Sequence, residues 1–400
     1  MGKARLDSGI VEINPYSGKK RPAQFYYIDL DAVTAGKLTK DVIVSRTEAP
    51  SRAQRLLKVN DILFQTVRPY QQNNYFFSKE RELRTVASTG YAQIRTENNP
   101  MYIYYSLHQD EFVREVNNRT TGSNYPAINP TELGKCCIYY EPDHKKQDKI
   151  AAVLTAADEA IAASRALVEK YAAVKQGLMQ DLLSGRVRLS GYKGDWELLK
   201  IGNLLDFKNG LNKGKEFFGE GIPIVNYMDV YSKPGIHAAS LEGRVRLSKN
   251  EIKRFEVRKG DVFFTRTSES VNEVGYTSVL LDDVEDGVFS GFVLRGRPKN
   301  DKLDIHYCQF CFTTPEIRRA IIVGATYTTR ALTSGTYLST IPIPLPKPDE
   351  QRAIAETIMA ADERLTAERE RLRKLEDIKR GLMNDLLTNK VTTDKLQGGI

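Results

Sequence analysis

Two stretches of the chain hold the residue types that read nucleic acid. Gln65-Thr66-Val67-Arg68-Pro69-Tyr70-Gln71-Gln72-Asn73-Asn74-Tyr75 follows the apolar run Ile62-Leu63-Phe64. Thr265-Arg266-Thr267-Ser268-Glu269-Ser270-Val271-Asn272 follows Val262-Phe263-Phe264. Arg pairs bidentately with guanine, and Asn or Gln with adenine, in the major groove; Ser, Thr and Tyr hydroxyls reach phosphates. Either stretch alone also fits an ordinary polar surface loop. Both, however, follow the same motif, Asn60-Asp61 or Gly260-Asp261 before an apolar run, at an offset of 200, and that recurrence favours DNA. The candidate contacts are Gln65, Thr66, Arg68, Gln71, Gln72, Asn73 and Asn74, and Thr265, Arg266, Thr267, Ser268 and Asn272. Two later segments resemble each other, Arg119 to Tyr125 and Arg330 to Tyr337. They add Arg119, Thr121, Ser123, Asn124 and Tyr125, then Arg330, Thr333, Ser334, Thr336 and Tyr337. A basic, Gly-containing loop adds Lys208, Asn209, Asn212, Lys213 and Lys215; lacking the Walker pattern, it suits a phosphate-backbone contact or a plain turn.

Other motifs invite different chemistry. An adenine methyltransferase needs a cofactor loop and an Asn-Pro-Pro-Tyr-like motif, and Phe217-Phe218-Gly219-Glu220-Gly221 and Asn99-Pro100-Met101-Tyr102 approach these. They lie in different parts of the chain, neither recurs in the other half, and no doubly wound βαβ pattern surrounds them. His306-x-Cys308-x-x-Cys311 resembles half a zinc site. At an offset of 204, though, the two cysteines fall opposite Tyr104 and Leu107, so the repeat predicts an apolar helix face that small thiols fill. Asp61 and Asp261 lack the clustered carboxylates and Lys of a nuclease and suit the holding of a turn. The histidines form no triad or metal spacing. No catalytic residue, metal site or cofactor is expected in this chain.

These candidates are positioned by a chain that is written twice. Lys175-Gln176-Gly177-Leu178-Met179-Gln180-Asp181-Leu182-Leu183 recurs as Lys379-Arg380-Gly381-Leu382-Met383-Asn384-Asp385-Leu386-Leu387, and Ala156-Ala157-Asp158-Glu159 recurs as Ala360-Ala361-Asp362-Glu363, both at an offset of 204. This is a duplicated module rather than a short solenoid repeat. From Gln147 to Leu183, apolar and small residues step by four and three through Ile150, Leu154, Ala157 and Ile161 to Leu178 and Leu182. Ile354, Ile358, Ala361 and Leu365 to Leu382 and Leu386 repeat the pattern. The spacing is a heptad seam broken in both copies, at Ser164 and Glu368 and at Lys175 and Lys379. It predicts two helices of about 37 residues packed as an antiparallel coiled coil, entered from Pro142 and Pro346 to Pro348 and ended near Ser184-Gly185 and Thr388-Asn389.

Between the helices, short strand-like runs predict two mixed α/β modules. The expected organisation is an α+β fold with pseudo-two-fold symmetry, its parts being 1–140, a first helix segment 141–190, 191–345 and a second helix segment 346–400. The helices repeat closely and the modules diverge, which suggests one scaffold carrying two readers of different targets. Basic residues exceed acidic ones by 8, and the two helix segments carry only +1 and 0 of that excess. A basic excess placed on the modules is the electrostatic footprint expected for nucleic acid. Four cysteines in 400 residues are no disulfide framework, and without a signal sequence or apolar span a reducing cytoplasm is expected and no membrane.

The order module, helix, module, helix, together with Pro344-Leu345-Pro346-Lys347-Pro348-Asp349-Glu350-Gln351-Arg352-Ala353-Ile354 and the Gly-Leu-Met-x-Asp-Leu-Leu ending, resembles the specificity subunit of type I restriction–modification enzymes. The first copy departs from the lead-in: it keeps Gln147 and Ile150 but loses the Glu. The resemblance spans essentially the whole chain. It implies two target recognition domains, each reading one half of a split double-stranded DNA sequence. It also implies that the paired helices act as ruler and docking surface for two methyltransferase (modification) subunits, which restriction subunits join. Catalysis would belong to the partners. The alternatives are a self-contained methyltransferase or nuclease with fused recognition domains, and a coiled-coil assembly protein with no DNA role.

Overall fold

The computed structural model of the chain describes residues 2–15, 21–327 and 329–392. It divides into two compact units: Met1–Ala166 with Arg369–Ile400, and Leu167–Glu368. Two 40-residue helices, His144–Leu183 and Pro348–Leu387, each contribute one half to each unit. Both are about one turn longer than the heptad seam predicts. Pro348, expected just upstream of the second helix, is its first residue, where the missing N–H costs nothing.

In the first unit, Gly2–Arg5 pairs antiparallel with Cys137–Tyr140. Beside it lies an antiparallel sheet in the order Glu12–Ile13, Tyr91–Arg95, Ile62–Gln65, Tyr75–Phe76. A second four-stranded sheet runs Val42–Ser45, Gln24–Ile28, Thr85–Ser88, Ala53–Leu56, with one parallel pair between Thr85–Ser88 and Gln24–Ile28. The apolar run at Ile62 is buried on both faces. Ile62 and Phe64 enter one core cluster with Tyr102, Phe112 and Ile138, while Leu63 enters another with Ile28 and Tyr91. A strand covered on both sides has no polar face, hence the unbroken apolar run. The first cluster also takes Ile150 and Leu154 from one long helix and Leu386 and Leu387 from the other, so the helix ends are part of the module's core.

The second unit repeats the plan. Glu197–Lys200 pairs antiparallel with Pro342–Leu345. A five-stranded sheet runs Leu205–Asn209, Val293–Pro298, Val262–Thr265, Thr277–Leu280, Gly235–Ile236. Val262 and Phe264 pack with Leu182, Leu183, Ile354 and Ile358, and Phe263 packs on the other face with Phe289 and Val293.

Within each unit the two helix halves run antiparallel. In the first, Asp158 pairs with Lys379 at 2.5 Å and Arg165 with Glu376 at 2.6 Å, so advancing along one helix retreats along the other. In the second, Lys175 pairs with Asp362 at 2.5 Å. The lysines that break the heptad seam therefore meet the aspartates of the repeated Ala-Ala-Asp-Glu. Each helix start is pinned by a buried glutamine. Gln147 Nε2 donates to Asn98 Oδ1 and the Glu141 carbonyl, and its Oε1 accepts from Asn99 N. Gln351 Nε2 donates to the carbonyls of Lys302 and Pro346, and its Oε1 accepts from Asp304 N. The glutamine kept in both lead-ins thus ties helix to module in both. Glu350, absent from the first copy, accepts instead from Arg188 at 2.5 and 2.7 Å and from Trp196 Nε1 at 3.3 Å. No helix among the described residues is long and apolar enough to cross a membrane.

Candidate nucleic-acid interface

In both units the turn before the central strand is held by its aspartate. Asp61 is fully buried; it accepts from Lys58 N, from Gln93 Nε2 and from both nitrogens of a fork-on Arg95, all at 2.7–2.8 Å. Asp261 accepts from Arg258 N at 2.8 Å and takes the same fork from Arg297 at 2.8 and 2.7 Å. A carboxylate satisfied in this way fixes the turn that the sequence predicts, adds an ion pair that it does not, and has its lone pairs committed.

The strand Ile62–Gln65 delivers the chain into the first loop. Arg68 (φ 54°) and Gln72 (φ 52°) both adopt left-handed backbone around a short 3-10 turn, Pro69–Gln71. For non-glycine residues this is uncommon and carries strain that the surroundings must hold. Here the surroundings are Arg68 N on the Pro126 carbonyl at 2.7 Å and bridges from Ala127 to Val67 and Thr121. These bridges lay a hairpin, 121–127, beside the loop. Tyr125 is 69% exposed, and the Arg68 guanidinium lies 4.7 Å from its ring centroid. Gln71, Thr121, Ser123 and Asn124 are exposed as well.

Gln72 is half-buried, and the other first-loop candidates bond to the loop and its supports. Gln65 Nε2 donates to Gln71 Oε1 and its Oε1 accepts from Asn73 N. Thr66 Oγ1 donates to the Gly90 carbonyl, and Asn73 Oδ1 accepts from Ala35 N. Asn74, buried, accepts from Gln65 N and faces His108 Nε2. Arg119 is held between Glu115 and Glu132, and the Glu115 carboxylate raises its guanidinium's pKa.

The second unit places a loop and a hairpin at the same points. Thr267–Ser268 pairs with Ala331–Leu332, which pairs in turn with Thr326–Tyr327. The letter similarity between Arg119–Tyr125 and Arg330–Tyr337 is therefore out of register. By pairing, Thr121 and Ala127 match Thr326 and Leu332, and the flanking helices Asp110–Asn118 and Pro315–Val323 agree, so Arg330 sits at the hairpin tip where the first unit has Tyr125. Lys208, Asn209, Arg266, Ser334 and Thr336 line one groove of about 460 Å³ together with Lys299. Lys208 Nζ donates to the Arg254 carbonyl at 2.5 Å; its ammonium is pushed below the ordinary lysine range by burial and then by Arg295, Arg254 and Arg297. Arg330, Asn212 and Lys215 are exposed, whereas Lys213 is engaged with Glu251 at 2.7 Å.

Thr265, Ser268, Thr333 and Tyr337 serve as braces. Thr265 Oγ1 donates to the Glu273 carbonyl, Ser268 Oγ to Glu273 Oε2 and Tyr337 Oη to the Ala320 carbonyl, while Thr333 N donates to the Arg266 carbonyl. Asn272 is exposed, and its carbonyl is held by Arg318. Three contributors escaped the sequence analysis: His108, Arg318 and Lys299. His108 lies in the turn after Pro100–Ser106, Lys299 just past the strand Val293–Pro298 and Arg318 on the helix Pro315–Val323, each a single residue without a spacing that could mark it.

The motifs suggesting other chemistry have structural roles. Phe218 and Ile222 both pair with Val245, so the intervening glycines form a bulge; a Cβ on Gly221 (φ +105°) would stand 2.4 Å from the Val245 carbonyl oxygen. Asn99 caps the helix Pro100–Ser106 by accepting from Tyr102 N at 2.9 Å. Cys308 and Cys311 are buried in the second unit's core.

Comparison with known proteins gives a consistent picture. Residues 193–377 match the family model of the type I restriction modification DNA specificity domain. The chain is 23% identical over 307 residues to the type I restriction enzyme MjaVIII specificity subunit of Methanocaldococcus jannaschii, covering 74% of this chain and 71% of that protein. Among solved structures, a chain of a type I R-M system matches with TM-score 0.60 at 20% identity, covering 97% of this chain and 98% of that one. The HsdS subunit from Thermoanaerobacter tengcongensis matches with TM-score 0.53 at 19% identity over 97% of each chain. The S subunit of a type I restriction-modification system from M. genitalium matches with TM-score 0.57 at 14% identity, over 96% and 95%. At such identities the structural likeness speaks to fold.

Proposed function

The chain belongs to the specificity subunits of type I restriction–modification systems, and from that premise we propose that it reads a split DNA target with one loop-and-hairpin surface per half. The observation that carries this reading is the recurrence of that surface. In each unit a loop leaves the buried central strand and a hairpin is bridged to it, but the exposed side chains differ. Arg68, Gln71, Gln72, Ser123, Asn124 and Tyr125 are the contacts proposed for one half. Arg266, Asn272, Arg330, Ser334, Thr336 and Lys208 are those for the other. Arginine and the amides supply base readout, and the hydroxyls and lysine supply phosphate contacts. The buried candidates act by shaping the loops.

The closely repeated helices support docking of two like partners, the modification subunits, with restriction subunits joining that assembly. Methyl transfer and cleavage would then be partner chemistry. Coexpression with the modification subunits followed by methylome sequencing tests the reading. A split methylated motif is expected, with Arg68→Ala relaxing one half and Arg266→Ala the other. A continuous motif, or relaxation of the same half by both variants, overturns it. Methyl incorporation by the purified chain alone would instead favour a self-contained enzyme.

A further inference from the structure

His108 stands behind the first loop at the wall of a groove of about 870 Å³. Its Nδ1 lies 2.7 Å from the Tyr104 carbonyl oxygen, which can only accept, so Nδ1 carries a proton. Its Nε2 lies 3.1 Å from Asn74 Nδ2. The Asn74 amide cannot be turned round, because its Oδ1 already accepts from Gln65 N at 2.8 Å. Nδ2 must therefore donate and Nε2 must accept, leaving one satisfied state: neutral imidazole with the proton on Nδ1. From Gln65 the chain continues outward through Nε2 to Gln71 Oε1, and Gln71 is exposed on the proposed DNA surface.

We propose that His108 is a positioning residue for DNA specificity: its neutral ring fixes Asn74, and through Asn74 and Gln65 the reading posture of Gln71. The inference rests on the DNA reading above. A second proton would aim Nε2–H at the Asn74 amide hydrogens and break the chain at its root, so half-site selectivity becomes pH-dependent. The ring's charged surroundings oppose one another. The helix Pro100–Ser106 just before it brings Tyr104, whose ring centroid lies 4.6 Å from the imidazole's. The long helices bring Asp158, which favours the imidazolium, and Lys379, which opposes it, and these two are paired to each other. Glu159 and Arg165, Glu376 and Arg380, and Lys37 complete the groove's charges. Burial dominates and pushes the imidazole below its ordinary value of 6.5. The selectivity read out is that of the folded complex, so it is held while the ring is neutral and is lost only as pH falls through the lowered folded-state value, which lies below 6.5.

The second loop supplies an internal control. Arg318 donates to the carbonyls of Val274 and Asn272, both at 2.8 Å, and a guanidinium does not titrate in this range. The test uses the complex with modification subunits and compares methylation of the cognate duplex with duplexes altered in one half, over a pH series running down from 7.5 to the lowest pH at which the complex stays assembled. Selectivity at the half read by Arg68 is expected to fall on the order of tenfold towards the acid end of the series, the worth of one buried hydrogen bond, and the other half's to hold. His108→Gln keeps an acceptor without a titrating ring and should flatten the profile. Asn74→Asp, which welcomes the imidazolium, should reverse it. Equal loss at both halves, no loss at either, or an unchanged profile in His108→Gln overturns the assignment. If Arg68→Ala relaxes neither half at pH 7.5, the DNA reading itself fails and takes this one with it.

Discussion

The two loops leave equivalent strands, yet they are braced by different chemistry. Behind the first stands a neutral relay of amides and an imidazole, Gln65, Asn74 and His108. Behind the second stand permanent charges. Arg318 grips two loop carbonyls, and Glu273 accepts from Ser268 Oγ at 2.9 Å and Tyr231 Oη at 3.2 Å. What surrounds the braces is the same in both units: an aspartate forked by an arginine, a glutamine at the helix start and a bridged hairpin. A loop must be rigid to read bases, and its own sequence decides which groups are at hand to hold it, so the brace changes with the loop while the frame does not.

The largest effect should come from breaking the shared frame. Asp61→Ala leaves the Arg95 fork and Lys58 N without their acceptor in a buried site. Loss of one partner from such a pair costs on the order of 3 kcal/mol. Asp261→Ala should cost as much through Arg297. Thermal unfolding of the full chain is expected to shift by roughly 6–12 °C for either. A large shift for one and none for the other would show that the frames are not equivalent. Next come the glutamines. Gln147→Leu and Gln351→Leu each strip a buried amide from three partners, and unmet buried groups cost about 1–3 kcal/mol. Matched losses in denaturant midpoint are expected.

The braces should then separate the units. Arg318→Met removes two hydrogen bonds from the second loop only. Selectivity at the half proposed for Arg266 should drop about tenfold, the other half holding, as read from methylation of singly altered duplexes. Equal loss at both halves would mean that Arg318 supports the whole chain rather than one loop.

Which of these features the sequence could disclose follows from what each leaves in the order of residues. The long helices were legible because heptad spacing is periodic over many turns, and the turn aspartates because a lone Asp before an apolar strand has few other uses. Pairing the seam-breaking lysines with Asp158 and Asp362 needed the antiparallel register, which spacing alone does not supply. In the loops, residue type does not give direction. Gln65, Asn74, Thr265 and Ser268 are the right types to touch DNA, but the same donors and acceptors also satisfy a tight loop's own backbone, and here they do. Shared letters match Arg330 with Arg119, whereas strand pairing matches it with Tyr125. His108 is a single histidine whose partner lies 34 residues away, a distance that carries no local pattern.

The smallest effect should come from the seam. Lys175 with Asp362 and Lys379 with Asp158 share one geometry, 2.5 Å with the lysine side chain 24% exposed and the aspartate 40 or 41% exposed. Water screens both, so each is worth about 0.2–1 kcal/mol. Their surroundings differ, because Asp158 also accepts from Tyr105 Oη at 2.8 Å while Lys379 lies 5.5 Å from that ring's centroid. A carboxylate with a second donor and a lysine with a ring beneath it are held in place before they meet, so less side-chain entropy remains to be lost. Double-mutant cycles on the full chain, with Lys→Met and Asp→Asn at each pair, should therefore give the larger coupling for Asp158 and Lys379. Adding Tyr105→Phe should bring that coupling down to the value for Lys175 and Asp362. Equal couplings before the tyrosine is changed would mean that the seam, unlike the loops it carries, is the same in both halves in energy as well as in sequence.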